Sequence, residues 1–275
     1  MQVQTLINGQ VAECVAPTDR GLAYGHGLFE TLPVQDGKPI FLSQHQQRLL
    51  DGCARLGIPT DNLMAQLQQD LGRLKFPAGM AVLKIMVTSG SGGRGYLRPD
   101  PVEPCRILSL SPMPVYPDMP EDGIHARWCQ TRLACQPLLS GIKHLNRLEQ
   151  VLARNEWRDP GIREGLVLDT LGRVVEGTMS NLLFVRGQHL CTPDLSEAGV
   201  SGIVRAQLLS MAPELGLEVE VGQYDRDSVE SADEVMVCNS LIGIWPIVRL
   251  GDVRYPVGPH TRNLQSALKQ RMSSC

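Results

Sequence analysis

The spacing of apolar and polar positions divides the chain into a strand-led first part and a mixed remainder. Val3–Ile7 and Val11–Val15 are apolar-rich runs on either side of Asn8-Gly9. That dipeptide favours a two-residue hairpin turn because both of its positions tolerate positive φ. A second extended run covers Leu28 to Val34 and turns at Asp36-Gly37. The spacing then becomes helical: Leu49, Leu50, Cys53 and Leu56 share a face, with Ser43 as the expected N-cap and Gly57 as the stop. Leu63, Leu67, Leu71 and Leu74 mark a second amphipathic helix. Ala81–Thr88 and Arg106–Leu110 are expected to be strands around a glycine-rich loop.

Pro112, Pro114, Pro117 and Pro120 crowd the stretch from Ser111 to Asp122 and favour an extended connector. The expected organisation is a smaller N-terminal domain (1–111), a connector (112–122) and a larger C-terminal domain (123–275). In the last of these, strands at Ile124–Gln130, Leu166–Leu168, Asn181–Val185 and Val235–Cys238 alternate with helices at Leu145–Trp157, Ile203–Leu215 and His260–Met272. Asp169-Thr170-Leu171-Gly172 lies between apolar runs and is expected to be a hairpin turn. The fold class is α/β, in two domains.

Composition narrows the function. Apolar residues make up 43% and charged residues 20% of 275, enough for a sizeable core and unlike a disordered chain. The net charge is -3 with no basic block, and aromatics are only 4%, so nucleic acid and anionic membranes are poor candidate partners. Met1 to Gln4 lack a basic region followed by an apolar run, so no signal peptide is expected. The longest apolar run, Val235 to Val248, is broken by Asn239, Ser240, Gly243 and Pro246 and is too short to span a bilayer. A soluble, cytoplasmic protein is expected. The eight cysteines are scattered without a Cys-x-x-Cys pair, which fits reduced, mostly buried thiols. The six histidines lack ligand spacing, and no metal is expected.

Four segments could carry chemistry. Gly90-Ser91-Gly92-Gly93-Arg94-Gly95 matches G-x-G-x-x-G, but Pro99 and Pro101 forbid the helix a dinucleotide site needs. It is either a surface turn or a loop that brings Arg94 and Tyr96 to a ligand. Lys143 stands in Gly141-Ile142-Lys143-His144 outside any charge-alternating face; it is a solvated charge or, if partly desolvated, an amine able to form a Schiff base. Glu176-Gly177-Thr178-Met179-Ser180-Asn181 is a polar turn, or a carboxylate aimed at a heterocyclic nitrogen amid hydrogen-bonding groups. Gly199-Val200-Ser201-Gly202-Ile203-Val204-Arg205 opens a helix whose free N–H groups suit a phosphate. Arg48 could add charge to the same anion.

Taken in order, the glycine-flanked lysine, Glu-Gly-x-x-Ser-Asn and Gly-Ile-x-Arg resemble the fold-type IV pyridoxal-phosphate enzymes. These are the branched-chain and D-amino acid transaminases and aminodeoxychorismate lyase. The resemblance runs from Leu6-Ile7-Asn8-Gly9 through Asp19-Arg20-Gly21 and His45-x-x-Arg48-Leu49 to Cys238-Asn239-Ser240. Ser89 to Tyr96 and Gly141 to Gln150 are similar to the lyase branch, although lyases often carry arginine where this chain has Ser89. Branched-chain transaminases usually place a tyrosine where Arg147 stands, just after the Asn that follows the lysine.

The resemblance implies pyridoxal 5'-phosphate on Lys143, with Glu176 at the pyridine nitrogen and Ser180 and Asn181 nearby. It implies a phosphate site at Gly202, Ile203, Arg48 and Ser240. The implied substrate is 4-amino-4-deoxychorismate, met by Arg94, Tyr96 and Asn239, with Lys143 as base and Thr31 as acid. A homodimer is implied, and an aminotransferase is the alternative.

Overall fold

In a computed structural model, residues 3–115 and 123–275 are described, and they fall into two compact units. Of the described residues, the first takes 3–115 together with Ile142–Asn146 and Cys275; the second takes 123–141 and Arg147–Ser274. The lysine segment was expected in the C-terminal domain, yet it belongs to the first unit. Pro117 and Pro120 of the expected connector lie outside the described residues. Pro112 ends a strand instead of starting the connector.

The first unit is one antiparallel sheet with helices. Its strands are β1 (Gln4–Ile7), β2 (Gln10–Val11), β3 (Gly27–Gln35), β4 (Lys38–Pro39), β5 (Met80–Thr88) and β6 (Cys105–Pro112), in the order β2-β1-β6-β5-β3-β4. Asn8 and Gly9 both take positive φ (49° and 77°) in the β1–β2 turn, as the dipeptide requires. A short helix α1 (Arg20–Tyr24) precedes β3, and α2 (Leu42–Arg55) and α3 (Leu63–Leu71) follow β4.

Alternation along β3 is clear: Leu28, Glu30, Leu32 and Val34 are buried, while Phe29 and Thr31 are half-buried. His45, Leu49, Gly52 and Cys53 form the buried stripe of α2. A Cβ on Gly52 would sit 2.4 Å from the Leu28 side chain, so glycine is what lets α2 pack close to β3. Ser43 is not the cap. The helix starts one residue earlier, after Phe41 at φ 54°, and makes no side-chain capping bond. Burying the Phe41 ring sets that start, which leaves Ser43 in the first turn bonded to Gln44.

The second unit holds a nine-stranded mixed sheet. Its strands are β7 (Ile124–Leu133), β8 (Ile162–Asp169), β9 (Val174–Gly177), β10 (Asn181–Arg186), β11 (His189–Pro193), β12 (Glu218–Gly222), β13 (Glu234–Asn239), β14 (Gly243–Leu250) and β15 (Val253–Arg254). The order is β12-β11-β10-β13-β14-β7-β8-β9, with β15 paired to β14. The helices are α4 (Leu148–Arg154), α5 (Ile203–Met211), α6 (Arg226–Glu230) and α7 (Pro259–Ser273). The helix expected over Leu145–Trp157 is shorter because its first residues are spent on strand pairing. The expected Ile203–Leu215 helix tightens into a 3-10 turn at Ala212–Leu215, where Pro213 cannot donate.

Buried aliphatic side chains of β8, β10, β13 and β14 surround Phe184 and Tyr224 in the core. Phe184 is fully buried and meets Tyr224 edge-on, with ring centroids 4.9 Å apart. Replacing Phe184 with Ala should cost about 3–5 kcal/mol. A urea titration would read this as a lower midpoint; an unchanged midpoint would mean that this cluster does not carry the unit.

Candidate active site

Lys143 sits on the free edge of β3. Its carbonyl accepts from Phe29 N–H at 2.9 Å, Leu145 N–H donates to the Gly27 carbonyl at 2.9 Å, and His144 bridges to Leu28. Two backbone bonds thus hold the lysine in extended geometry. Its half-buried Nζ lies 4.4 Å from the centre of the Phe29 ring, where an ammonium is attracted to the π face.

Thr31 is two residues along β3 and shares the Phe29 face. Its partner across β5 is Lys84, whose Nζ also approaches the Phe29 ring, at 5.5 Å. Lys84 is half-buried and forms no ion pair among the described residues. Sequence reasoning missed it. The visible signal was a lone lysine inside the apolar run of β5.

On the other face of β3 lies a buried ionic cluster. Glu30 Oε2 is 2.6 Å from His45 Nδ1, and the Arg48 fork meets Glu30 through Nε (2.8 Å) and Nη2 (2.5 Å). Arg48 was expected at a phosphate; within the first unit its guanidinium is held by Glu30. Burial pushes the Glu30 carboxyl up, but the bonds from His45 and Arg48 and the Arg48 charge outweigh it and leave it below 4.5. Burial chiefly lowers His45. Its bond to Glu30 opposes this, and the net position is below 6.5.

The Gly90–Tyr96 loop is not followed by a helix; residues 89–104 lead directly into β6. Arg94 and Tyr96 are exposed at its tip. Ser89 is buried and its hydroxyl has no hydrogen-bond partner.

The second unit carries the other expected groups. Glu176, on β9, is buried, and its Oε2 accepts from Val200 N–H (3.0 Å) and Asn181 Nδ2 (3.2 Å). Asn181 also donates to the Val200 carbonyl at 2.8 Å. One amide therefore couples the carboxylate to the glycine loop. Gly202 is the N-cap of α5, with no side-chain capping bond, and Ile203 is its first residue. A Cβ on Gly202 would fall 1.8 Å from Asn181 Oδ1, so only glycine fits. Gly141, two residues before Lys143, is stitched to the same loop through Gly199 and Ser201, each at 2.9 Å.

Glu164 organises the turn between β9 and β10 and was missed from the sequence. It is fully buried and accepts from Thr178 N–H (3.0 Å) and Oγ1 (2.5 Å) and from Ser180 Oγ (2.6 Å). The Ser180 hydroxyl expected at the cofactor is thus spent on Glu164. Asn239 is likewise engaged: its amide donates to the Met179 carbonyl at 3.0 Å and accepts from Leu241 and Ile242. Ser240 follows it in the same turn, half-buried. Arg205, in the Gly-Ile-x-Arg segment, binds Thr192 Oγ1 and the Pro193 carbonyl, each at 2.9 Å, and so fastens α5 to β11.

The described residues contain no cluster that could hold a metal ion. The chain belongs to the aminotransferase class IV family: the model "Amino-transferase class IV" matches residues 27–250. The chain is 34% identical to the aminodeoxychorismate lyase of Vibrio harveyi over 95% of this chain and 98% of that protein. The crystal structure of 4-amino-4-deoxychorismate lyase from Pseudomonas aeruginosa is 48% identical and superposes with a TM-score of 0.91, covering 97% of this chain and 98% of that one. The branched-chain-amino-acid aminotransferase of Salmonella typhimurium is 29% identical over 90% and 84% of the two chains.

The family depends on pyridoxal phosphate, and the residues present fit that group. Glu176 would bring a buried carboxylate to a protonated pyridine nitrogen, the α5 N-terminus would bring N–H groups to a phosphate, and Lys143 would bring the amine.

The ionic cluster makes a pH prediction. His45, with its value lowered by folding, is neutral in the fold, while the unfolded chain takes up a proton below about 6.5. Glu30, also lowered, gives stability that is present above 4.5 and lost as pH falls through its folded value. Both act in the same direction. Stability should fall as pH drops below 6.5 through His45 and fall further below 4.5 through Glu30, and His45→Asn should remove the first of these falls in urea titrations. Equal slopes in the two proteins would refute the assignment.

Proposed function

We propose that this chain is a pyridoxal-phosphate-dependent lyase converting 4-amino-4-deoxychorismate to 4-aminobenzoate and pyruvate. The observation that carries the reading is the 48% identity and 0.91 TM-score to the Pseudomonas aeruginosa lyase. Aminotransferase relatives stand lower, as the 29% to the Salmonella enzyme illustrates.

Pyridoxal phosphate, when bound, supplies an electron sink for the carbon next to the substrate nitrogen. Lys143 would hold it through its amine, and that amine would take the ring proton from the substrate carbon bearing nitrogen. Thr31, on the Phe29 face, protonates the departing enolpyruvyl fragment. Glu176 keeps the pyridine nitrogen protonated, with Asn181 steadying the carboxylate. Gly202, Ile203, Arg48 and Ser240 serve the phosphate; Ser180 acts through Glu164.

The substrate carries two carboxylates. Arg94 and Tyr96 meet one, and Lys84 supplies a second cation, replacing the arginine that many lyases carry where this chain has Ser89. Asn239 borders the substrate through its turn. Substrate and products balance without water or a second reactant, and aromatisation makes the release irreversible. A 2-oxo acid is therefore not needed.

Purified protein incubated with 4-amino-4-deoxychorismate alone should yield 4-aminobenzoate and pyruvate one for one. Lys143→Ala should abolish both the turnover and the cofactor absorbance. Amino transfer only after a 2-oxo acid is added would make it an aminotransferase instead.

The reading includes a cytoplasmic setting, in keeping with eight free cysteines, and a small-molecule substrate with neither nucleic acid nor membrane as partner. No helix among the described residues is long and apolar enough to cross a membrane. It also includes a homodimer. Leu148, Val151 and Leu152 form an exposed apolar stripe on α4 (69%, 50% and 55% exposed), at a spacing that places all three on one face. Leu152→Glu should shift the protein towards monomer in analytical ultracentrifugation. A monomeric native protein would remove this part of the proposal.

A further inference from the structure

We propose that Arg20 is the positioning residue of the Gly90–Tyr96 loop, the group that fixes the direction in which Arg94 and Tyr96 are presented. This rests on the lyase reading, in which that loop meets a substrate carboxylate.

The loop does not hold its own shape. Gly90, Gly92, Gly93 and Gly95 all have positive φ (69°, 119°, 75° and 74°). Glycine backbone of this kind is costly to order. No side-chain hydrogen bond within Gly92–Tyr96 stabilises it.

Its order comes from the segment before and within α1. Asp19 Oδ2 accepts from Thr88 Oγ1 (2.7 Å), and Thr88 Oγ1 accepts from Gly90 N–H (3.0 Å). Arg20 N–H donates to the Gly90 carbonyl (2.8 Å), and Gly92 N–H to the Thr18 carbonyl (3.3 Å). These bonds fix only the start of the loop. Among the described residues, one side chain outside the loop hydrogen-bonds to its tip. Arg20 donates through Nη1 to the Gly95 carbonyl (3.1 Å) and through Nη2 to the Tyr96 carbonyl (2.7 Å).

Arg20 is 2% exposed and pairs with no carboxylate among the described residues. A buried guanidinium must have its donors satisfied. Here they meet two loop carbonyls and the His26 ring, whose Nδ1 is 3.4 Å from Arg20 Nε while Nε2 faces the Leu56 carbonyl. The guanidinium also lies 4.9 Å from the Tyr24 ring, which meets the Tyr96 ring edge-on at 5.6 Å. The cation that binds the loop carbonyls is thus itself fixed on several sides. Arg20 touches no reacting atom; it acts through Arg94 and Tyr96.

The experiment compares Arg20→Lys, Arg20→Gln, Arg94→Ala and the Arg20→Lys/Arg94→Ala double variant as holoenzymes. Lysine keeps the charge but cannot span two carbonyls with a planar fork. Expected for Arg20→Lys is a KM for 4-amino-4-deoxychorismate raised about tenfold with kcat nearly unchanged, the mark of lost uniform binding. Arg20→Gln should raise it at least as much. In the double variant, Arg20→Lys should add clearly less than its own tenfold to the effect of Arg94→Ala, because only Tyr96 is left to be oriented. Hydrogen exchange at Gly92–Leu97 should quicken in both Arg20 variants while the melting temperature and cofactor absorbance hold. A single-carboxylate amine such as D-alanine should react with the bound cofactor at the native rate.

An unchanged KM in both Arg20 variants, or effects of Arg20→Lys and Arg94→Ala that simply multiply, would overturn the positioning role. So would a loss of KM, kcat and melting temperature together. If Arg94→Ala leaves KM unchanged while the protein still makes 4-aminobenzoate, the loop is not the carboxylate site and the inference falls with the lyase reading intact. If no variant or native protein makes 4-aminobenzoate, the lyase reading itself has failed.

Discussion

The arrangement in the first unit depends on one backbone pairing: the segment around Lys143 lies along the free edge of β3 through Phe29 N–H to the Lys143 carbonyl and Leu145 N–H to the Gly27 carbonyl. A lysine side chain has four rotatable bonds and is expensive to order. Fixing its backbone as a short strand removes part of that cost, and the Phe29 ring beneath the ammonium removes more. The same pairing shortens α4, since residues used on a strand edge cannot also open a helix. Burial of the second face of β3 by α2 then fixes the height at which Phe29 and Thr31 stand, and Gly52 permits the close approach.

Polar burial is handled differently in the two units. In the first, Glu30 is compensated by Arg48 and His45, an ion pair whose desolvation is offset only because both carboxylate oxygens have partners. In the second, Glu164 and Glu176 are buried among N–H and O–H donors. Those bonds fix the direction in which each carboxylate points. For Glu164, four bonds from the β9–β10 turn make the carboxylate a rigid anchor, because losing it would strand several donors at once.

Much of the fold was legible because its elements obey local rules. Asn8-Gly9, Asp36-Gly37 and Asp169 to Gly172 each sit in the turn their chemistry predicts, and the alternating run at 28–34 is a strand with one buried face. What was not legible followed from competition between levels. Ser43 is a good cap by propensity, but burial of Phe41 moved the helix start. The edge strand β12, with Glu218 and Glu220 between valines, lacks the apolar weight that marks a strand. At the site, Lys143, Glu176 and Gly202 were visible as residue types in an order. The partners of Ser180, Arg48 and Asn239 were not visible, since a hydroxyl, fork or amide carries no sign of what it will bond across 16, 18 or 60 positions.

On the proposed reading, the groups that serve the cofactor lie where the chain is most constrained, and those that meet the substrate lie where it is least so. Glu176, Asn181 and Gly202 are locked by mutual bonds and by a clash that admits only glycine. Arg94 and Tyr96 are carried by a glycine loop with little order of its own. That division has a physical logic. Cofactor chemistry tolerates little displacement of the carboxylate and helix start, whereas substrate choice among amines is a matter of where one or two cations stand. A loop whose position is set from outside can be re-aimed by changing its anchor without disturbing the rest. On that reading the same separation explains why the motif order alone leaves lyase and aminotransferase both open: the cofactor groups serve either reaction, and the substrate groups lie in a loop whose tip is held by a buried arginine 75 and 76 positions earlier.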